Sequence, residues 1–265
     1  MLATTLTRTQ LVTQDDRRLG DDEASRWRDL LERRAAGEPM AYLTGTREFR
    51  SLMFEVGPSV LIPRPETELL VELVIGAAAH GAHVIDLGTG SGAIAVAVAA
   101  ARGDLQVLAC DLSADALAVA MRNGERLVPG RIEFHQSDWF AALAGRQFDW
   151  VISNPPYIAA HDAHLARGDL RFEPQGALTD GADGLRHLRR LVRDAPDHLL
   201  PGGHVAFEHG HDQASEVRRL LDAAGYESIA SLRDLAGIER VTTAARPRIP
   251  APRTPADPRA SRRRR

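Results

Sequence analysis

The stretch that decides the fold is Val84-Ile85-Asp86-Leu87-Gly88-Thr89-Gly90-Ser91-Gly92. It reads as an apolar strand carrying an acidic residue, followed by a glycine-rich turn into a helix of small residues. Glycines at such a turn let the backbone reach positive φ and approach a ligand closely. The spacing is Gly-x-Gly-x-Gly, whereas dinucleotide enzymes have Gly-x-Gly-x-x-Gly. It therefore favours a loop around a nucleoside with an amino-acid group and argues against a nicotinamide dehydrogenase.

Strands and helices alternate on both sides of this turn. The predicted strands are His83–Leu87, Gln106–Cys110, Arg131–His135, Phe148–Ser153, His204–Glu208, Ser228–Leu232 and Arg240–Ala244. The predicted helices are Glu66–Ala79, Ala93–Ala101, Ala114–Leu127, Gly184–Leu199 and Gln213–Ala224. Such alternation is typical of an α/β protein with a doubly wound, mostly parallel, Rossmann-like sheet, here of seven strands.

The region before the sheet combines a segment without a clear pattern, a predicted helix and two short extended runs. Met1–Gly20 has no clear helical period, whereas Asp22–Ala36 has one and predicts a helix. Two short extended runs follow, one around Phe49 and one over Leu52–Val56, and Gly57-Pro58 interrupts them. These features predict a β-hairpin linker.

The chain divides into four predicted parts. Residues 1–41 form a shortened N-terminal helical segment, 42–62 the hairpin linker and 63–245 the main α/β domain. Residues 246–265 contain eight Arg, one Asp and five Pro with almost no apolar residues, so this tail is predicted to be disordered.

Bulk composition narrows the function classes. The 265 residues, 44% of them hydrophobic, suffice for one good core, and the net charge of −3 argues against stable nucleic-acid binding. A single cysteine excludes an intrachain disulfide, and no His/Cys cluster has zinc spacing, so no metal is expected. The N-terminus lacks signal-peptide order, and the longest small-apolar run is too short to span a bilayer. We expect a cytoplasmic monomer that binds no membrane.

Chemistry is indicated most strongly by Ser153-Asn154-Pro155-Pro156-Tyr157, at the end of a buried strand. Two consecutive prolines forbid a helix and supply no N–H, so the Pro155 carbonyl stays outside a regular ladder. The Asn154 side-chain oxygen is a second acceptor, and Tyr157 offers a flat face. These groups suit a planar nitrogen with two hydrogens, either an amide or the exocyclic amine of a base. The alternative is a proline-rich loop that merely ends the strand.

Two further residues lie where a nucleoside would bind. Asp111 ends the next strand, where a carboxylate can accept both ribose hydroxyls. It could instead be a solvated strand-end acid or a helix N-cap, but Ser113 is the better cap candidate. Asp138 and Trp139 offer an acid and an aromatic face to an adenine, although Trp139 could simply belong to the core.

Together these residues resemble class I S-adenosylmethionine-dependent methyltransferases and, more narrowly, the release factor glutamine methyltransferases (the PrmC or HemK family). The more specific of the matching segments are Arg171-Phe172-Glu173-Pro174 and residues 61–68, the proline-containing joint between the hairpin linker and the main domain. The resembling motifs are Gly37-Glu38-Pro39, Leu43-Thr44-Gly45, Arg47-Glu48-Phe49, Leu61–Glu68, Asp86–Gly92, Gln136–Phe140, Asn154–Tyr157, Arg171–Pro174 and Glu208-His209-Gly210.

The resemblance implies a fold, a cofactor and a substrate. The cofactor is S-adenosyl-L-methionine, and the substrate is the glutamine of the Gly-Gly-Gln motif in peptide chain release factors 1 and 2. The implied cofactor-binding residues are Gly88, Thr89, Gly90, Ser91, Gly92, Asp111, Trp139 and Asn154. Asn154, Pro155, Pro156 and Tyr157 would hold the glutamine, with Asn154 and Pro155 catalytic.

The sequence departs from the family pattern at both ends of the chain, and several single residues allow more than one role. The family usually has a fuller N-terminal helical bundle, so the segment here is either shortened or begins late, and the Arg-rich tail is not part of the pattern. Glu208 and His209 are expected to make structural hydrogen bonds, and His161 and His164 to be bystanders. Arg64 could guide a partner's backbone or hold the joint.

Two rival functions stay open. A methyltransferase acting on a base amine of DNA or RNA, such as adenine N6, could use the same Asn-Pro-Pro-Tyr motif. Its support is the Arg-rich tail, and the acidic body argues against it. A non-catalytic subunit that binds S-adenosyl-L-methionine is the other rival, and the intact glycine turn and Asn154–Tyr157 set argue against it.

Overall fold

The computed structural model describes residues 3, 4, 6–14 and 16–248. Helix α1 (Arg8–Thr13) lies in the region without a clear helical period, where no helix was predicted. It is a six-residue turn held by a capping box between Thr7 and Gln10, too short for a period to show. Helix α2 (Asp21–Ala35) confirms the predicted helix, and three acidic residues in its first turn complement the helix dipole. Helix α3 (Met40–Thr44) follows.

The predicted hairpin is present, but its turn was placed wrongly. Strands β1 (Thr46–Phe49) and β2 (Leu52–Glu55) pair antiparallel. The two turn residues are Arg50 and Ser51, with φ of 49° and 60°. Both are left-handed, as a type I′ hairpin turn requires, although neither is glycine or asparagine. Gly57-Pro58 comes after the hairpin, in the turn that leads to the joint.

A seven-stranded sheet forms the main domain, which confirms the predicted fold class. In chain order its strands are β3 (His83–Leu87), β4 (Gln106–Asp111), β5 (Ile132–Gln136), β6 (Phe148–Ser153), β7 (Leu199–Glu208), β8 (Glu227–Arg233) and β9 (Glu239–Ala245). The spatial order is β5-β4-β3-β6-β7-β9-β8. Neighbours from β5 to β7 run parallel, and the pairs β7–β9 and β8–β9 are antiparallel.

Helices cover both faces of this sheet. They are α4 (Glu68–Ala77), α5 (Ala93–Ala101), α6 (Ala114–Leu127), α7 (Gln175–Leu178), α8 (Arg186–Asp194) and α9 (Ala214–Ala223). One core contains the apolar side chains of α4, α5 and the hairpin, and a second contains those of α8 and α9. Side chains that alternate between the strand faces supply both cores, which is the doubly wound arrangement.

The largest boundary error concerns the predicted helix Gly184–Leu199. The α-helix ends at Asp194, and Ala195–His198 form a 3₁₀ turn that contains Pro196. Leu199 already belongs to β7, where it pairs with Phe148. Proline removes a backbone donor and clashes with the preceding turn, so the regular helix ends before it.

The hydrogen bonding of the last strand extends into the first residue of the predicted tail. Arg246, the first residue of that tail, continues the ladder, because its N–H donates to the Gly203 carbonyl at 2.7 Å. Residues 249–265 lie outside the described residues, so disorder there stays a prediction, as do the four domain boundaries. Across the described ranges, no helix is both long and apolar enough to cross a bilayer.

The topology reverses direction beside β3. From β3 the chain builds outward through β4 to β5, whereas β6 pairs with the opposite edge of β3. Ligands of open α/β sheets bind at such a switch point, outside the carboxyl ends of the strands. The glycine turn and Asn154 both lie at this edge.

Candidate active site

A cavity of about 320 Å³ opens at the carboxyl ends of β3, β4 and β6. Its size falls within the roughly 300–1,000 Å³ typical of small-molecule pockets. Seven predicted site residues for the cofactor line it, namely Gly88, Thr89, Gly90, Ser91, Asp111, Trp139 and Asn154. Its other walls include residues at and just before the joint and residues that follow the Asn-Pro-Pro-Tyr motif in the chain. The former are Ser59, Val60, Leu61, Pro63, Arg64 and Thr67, and the latter are Pro174, Gly176, Ala177 and His187.

The glycine turn has a backbone that other residues would strain. Gly88 has a φ of 72°, and a Cβ there would lie 3.4 Å from the Trp139 ring. Gly92 has a φ of 82°, and its Cβ would lie 3.2 Å from Ala120 on α6. Gly92 therefore allows helix α5 to pack closely against α6 and does not itself line the cavity.

A buried carboxyl forms hydrogen bonds that stabilise the glycine turn. Asp86 is fully buried, and its Oδ2 accepts hydrogen bonds from the Thr89 hydroxyl at 2.6 Å and from the Ala95 N–H at 3.3 Å. Burial raises the pKa of Asp86 to about 7. No role for this acid is predicted from the sequence. Its contacts show that it fixes the turn to the start of α5.

Asp111 faces the cavity with both carboxylate oxygens already hydrogen-bonded once. Gly90 N–H donates to Oδ2 and Ser113 N–H to Oδ1, each at 2.9 Å. Ser113 is the N-cap of α6, as predicted, because its side chain accepts from Ala116 N–H. Burial raises the pKa of Asp111, and these backbone donors oppose the rise. A carboxylate oxygen can accept more than one hydrogen bond, so Asp111 can still bind hydroxyls.

Trp139 lies opposite the glycine turn in an unusual backbone conformation. Its φ is 53°, and its carbonyl accepts a hydrogen bond from the Ser137 hydroxyl at 2.7 Å. The half-buried ring lines the cavity and is 5.4 Å from the ring of His187 on α8. No motif in the sequence predicts a site role for His187. Neighbouring Asp138 pairs with Arg190 at 2.8 Å, so its carboxylate is already engaged.

Asn154 lines the cavity from the end of β6. Its Nδ2 donates to the hydroxyl of Thr67 at 3.1 Å, which leaves its Oδ1 available as an acceptor. Pro156 also lines the cavity, whereas Pro155 and Tyr157 do not. The Tyr157 hydroxyl donates instead to Glu208 Oε1 at 3.3 Å. The predicted set therefore lies together in the chain, with only two of its four residues at the cavity wall.

The two most specific family segments contact each other beside the cavity. Glu173 is 3% exposed, accepts from Ile62 N–H at 2.9 Å and forms an ion pair with Arg64. Arg171, two residues earlier, donates to the Ala36 carbonyl at 2.5 Å and lies against Gly37. Arg64 therefore holds the joint to the segment between β6 and α8, and that segment closes one side of the cavity.

The remaining candidates have structural contacts. His209 is buried and hydrogen-bonded through Nε2 to the Thr242 hydroxyl at 2.8 Å. Exposed His164 pairs with Asp162. Within the residues the structure describes, no group of three or more His, Cys, Asp or Glu side chains is arranged to hold a metal ion.

The cavity fits a nucleoside with an attached amino acid. The Gly88–Ser91 turn presents a backbone wall that a side chain would fill, Asp111 supplies a carboxylate for hydroxyls, and Trp139 supplies a flat apolar face. These are the groups that S-adenosyl-L-methionine requires.

Comparisons with known proteins agree with this geometry. A methyltransferase from Pyrococcus furiosus shares the fold, with a TM-score of 0.58 at 20% identity, covering 85% of this chain and 100% of that one. A ribosomal protein L11 methylase from Lactobacillus delbrueckii gives a TM-score of 0.51 at 22% identity, covering 69% and 80%. Residues 65–170 match the methyltransferase small domain family. The fold and the matched domain family are those of methyltransferases, and the residues that line the cavity fit S-adenosyl-L-methionine as the methyl donor.

The family is narrower than the fold. Residues 1–45 match the PrmC N-terminal domain. The release factor glutamine methyltransferase of Burkholderia pseudomallei is 53% identical over 243 residues, covering 89% of this chain and 85% of the relative. That of Bordetella pertussis is 54% identical over 221 residues, covering 82% and 81%. The chain belongs to the release factor glutamine methyltransferase family.

Proposed function

We propose that this enzyme transfers a methyl group from S-adenosyl-L-methionine to N5, the side-chain amide nitrogen, of the glutamine in the Gly-Gly-Gln motif of peptide chain release factors 1 and 2. The names of the two relatives support this substrate. The observation that carries the proposal is that Asn154 lines the same cavity as the glycine turn and Asp111, with its amide oxygen available.

One side of the cavity holds the methyl donor. S-adenosyl-L-methionine, when bound, supplies an electrophilic methyl group on a sulfonium. The Gly88–Ser91 turn would hold it through backbone, Asp111 would accept its ribose hydroxyls, and Trp139 would supply a flat face for the adenine. Asn154 lies between this site and the substrate.

The other side orients the nucleophile. An amide nitrogen is weakly nucleophilic because its lone pair is delocalised into the carbonyl. We assign Asn154 Oδ1 and the Pro155 carbonyl as acceptors of its two N–H groups, and Pro156, at the cavity wall, as the contact for the rest of the side chain. Positive charge develops on the nitrogen as it attacks, so both hydrogen bonds strengthen in the transition state. Holding the two reactants in the correct orientation can lower the activation free energy by roughly 7–11 kcal/mol.

Proton loss completes the reaction. A methylated amide that still carries its extra proton is a strong acid, so the proton passes to water without a dedicated base. The role of the protein is therefore to hold and orient the amide, and no histidine is assigned to the chemistry.

The proposal extends to recognition and location. The N-terminal segment (1–41) is the part we assign to contact with the body of the release factor, and residues 1–45 match the PrmC N-terminal domain. We place the enzyme in the cytoplasm, where translation termination occurs, and expect a monomer without stable nucleic-acid binding.

Transfer of labelled methyl from S-adenosyl-L-methionine to purified release factor tests the proposal. The controls are the same factor with Gln→Ala in its Gly-Gly-Gln motif and a duplex DNA. We expect label on the unmodified factor alone.

Label on DNA instead would establish the alternative function, a methyltransferase that acts on a base amine. That class of enzyme also contains the Asn-Pro-Pro-Tyr motif. Cofactor binding without label on any substrate would support the non-catalytic alternative and contradict the proposal.

A further inference from the structure

The backbone of the Asn-Pro-Pro-Tyr motif is anchored at its two ends. A proline has no N–H, so Pro155 and Pro156 donate no hydrogen bond from the backbone. At the first end, Ser153 belongs to β6, and its hydroxyl donates to the Leu87 carbonyl at 2.7 Å. The position of the Pro155 carbonyl therefore also depends on what fixes Tyr157, at the other end of the motif.

Gln213 anchors this second end through its side-chain amide. It is the N-cap residue of α9, and its Nε2 donates to the Tyr157 carbonyl at 3.0 Å and to the Gly184 carbonyl at 3.3 Å. Its Oε1 accepts from Gly210 N–H at 2.8 Å. Carbonyl oxygens only accept hydrogen bonds and a backbone N–H only donates, so these partners decide which end of the amide faces Tyr157.

Two glycines allow this amide to lie close to the backbone around it. Gly184 has a φ of 84°, and a Cβ there would overlap the Tyr157 carbonyl oxygen and lie 2.8 Å from Gln213 Nε2. A Cβ on Gly210, in the Glu-His-Gly segment after β7, would lie 3.0 Å from Gln213 Oε1. Three segments that are distant in the chain therefore meet at one side chain.

The same amide connects the two ends of residues 158–183. This segment leaves the motif after Tyr157 and reaches α8 through Gly184, the two residues whose carbonyls accept from Gln213. Part of the segment lines the cavity, namely Pro174, Gly176 and Ala177. Gln213 therefore contacts both the motif and the base of one cavity wall, although it does not itself line the cavity.

We propose that Gln213 is a positioning residue that holds the Tyr157 carbonyl, so that the Pro155 carbonyl and Asn154 face the substrate amide together. Because proline fixes φ, a displacement of Tyr157 also moves Pro155. The inference rests on the proposed function for its substrate, but the position of the motif can be measured without a substrate.

Gln213→Glu tests the NH₂ group. Glutamate has nearly the shape of glutamine and keeps an oxygen that can accept from Gly210 N–H, but it presents its other oxygen to two carbonyls. We expect kcat for release factor methylation to fall roughly tenfold, the effect of one to two lost hydrogen bonds. The Kd for S-adenosyl-L-methionine should stay close to the wild-type value. Gln106→Glu makes the same change at an exposed residue that begins β4, and this matched control should keep the wild-type kcat.

A double variant distinguishes positioning from a general loss of stability. We assign the Asn154 oxygen and the Pro155 carbonyl to one substrate amide, so the loss of one acceptor should reduce the effect of losing the other. We expect the decrease of kcat in Asn154→Ala/Gln213→Glu to be smaller than the product of the two single decreases. Single effects that multiply would show that Gln213 acts independently of the motif, and they would overturn the inference.

Crystal structures of the wild type and of Gln213→Glu give a readout that needs no release factor. We expect the Tyr157 carbonyl to turn away from residue 213 and Pro155 to move with it, while the Gly88–Ser91 turn stays in place. This displacement, together with a wild type that methylates no release factor, would overturn the proposed function and support the positioning of the motif.

Two further results would overturn the inference. One is a Gln213→Glu enzyme with wild-type kcat, and the other is a motif that superimposes on that of the wild type. Circular dichroism identifies a variant that has not folded. In that case Gln213→Met, which removes the hydrogen bonds without adding a charge, takes the place of Gln213→Glu in each measurement.

Discussion

The two sides of the active site are assembled differently. On the cofactor side, hydrogen bonds connect residues that are closer in sequence, since Asp86 and Thr89 are 3 positions apart and Gly90 and Asp111 are 21 positions apart. On the substrate side, Asn154 and Thr67 are 87 residues apart, and Arg64 and Glu173 are 109 apart. The first side is encoded by one βαβ segment, whereas the second exists only once distant segments have packed. Substitutions on the cofactor side should therefore change mainly the Kd for S-adenosyl-L-methionine, and those on the substrate side mainly kcat.

The largest effect is expected for Asn154→Ala. Removal of the amide oxygen takes away one of the two acceptors that strengthen in the transition state, and we expect kcat to fall by roughly 10²–10³. The Kd for S-adenosyl-L-methionine, measured by calorimetry, should change little, because the glycine turn and Asp111 remain. Unchanged turnover would remove Asn154 from the mechanism.

Asp111→Asn should show the opposite pattern. The substitution keeps the shape of the side chain but replaces a charged acceptor of ribose hydroxyls and of the Gly90 N–H. We expect Kd for S-adenosyl-L-methionine to rise roughly 10–100-fold, with kcat largely recovered at saturating cofactor. Lost kcat with an unchanged Kd would show that the two sides cannot be separated in this way.

Glu173→Gln tests the contact that holds the joint. Glu173 is buried and accepts from Arg64 and from Ile62 N–H, so loss of its charge should lower the free energy of unfolding by roughly 2–3 kcal/mol. Glu133→Gln, which breaks the exposed pair with Arg146, is the matched control and should cost less than about 1 kcal/mol. Urea unfolding measures both. Equal losses would mean that the buried pair does not stabilise the joint.

Each side also contains one buried carboxyl that should make stability depend on pH. Burial raises the pKa of Asp86 and of Glu208 to about 7, from 3.8 and 4.5. Between the unfolded and folded pKa values the folded chain binds more protons, so the free energy of unfolding falls as pH rises towards 7.

Glu208→Gln should remove about 2 kcal/mol of that fall between pH 5 and pH 7, measured by urea unfolding at each pH. Asp183→Asn is the control. The pKa of Asp183 is lowered to about 2 by its hydrogen bond with Arg189, so this carboxylate is ionised in both states above pH 5. The Asp183→Asn substitution should therefore change the free energy of unfolding by the same amount at pH 5 and at pH 7. A Glu208→Gln slope identical to that of the wild type would contradict the raised pKa.

The same contrast explains what the sequence could predict. The strand, glycine turn and helix around Gly88 follow from local pattern, and the parallel sheet follows from the alternation. The hairpin turn was misplaced because Gly57-Pro58 is a stronger local signal than Arg50-Ser51, whose left-handed backbone is imposed by the pairing of β1 with β2.

The site residues that were missed depend on tertiary packing. His187 reaches the cavity only because α8 packs with its Leu188 and Leu191 side chains in the core. The contact of Thr67 with Asn154 has no signature in the sequence around either residue. Sequence motifs identified the segments that meet, and the structure supplied the pairs.

The most direct test of the account is the position of the methyl group on a release factor treated with this enzyme and S-adenosyl-L-methionine. Mass spectrometry of the peptide that contains the Gly-Gly-Gln motif locates the modification. We expect a mass gain of one methylene unit on the glutamine side chain, present with the wild-type enzyme and lost with Asn154→Ala. A methyl group on any other residue, or an equal yield with Asn154→Ala, would contradict it.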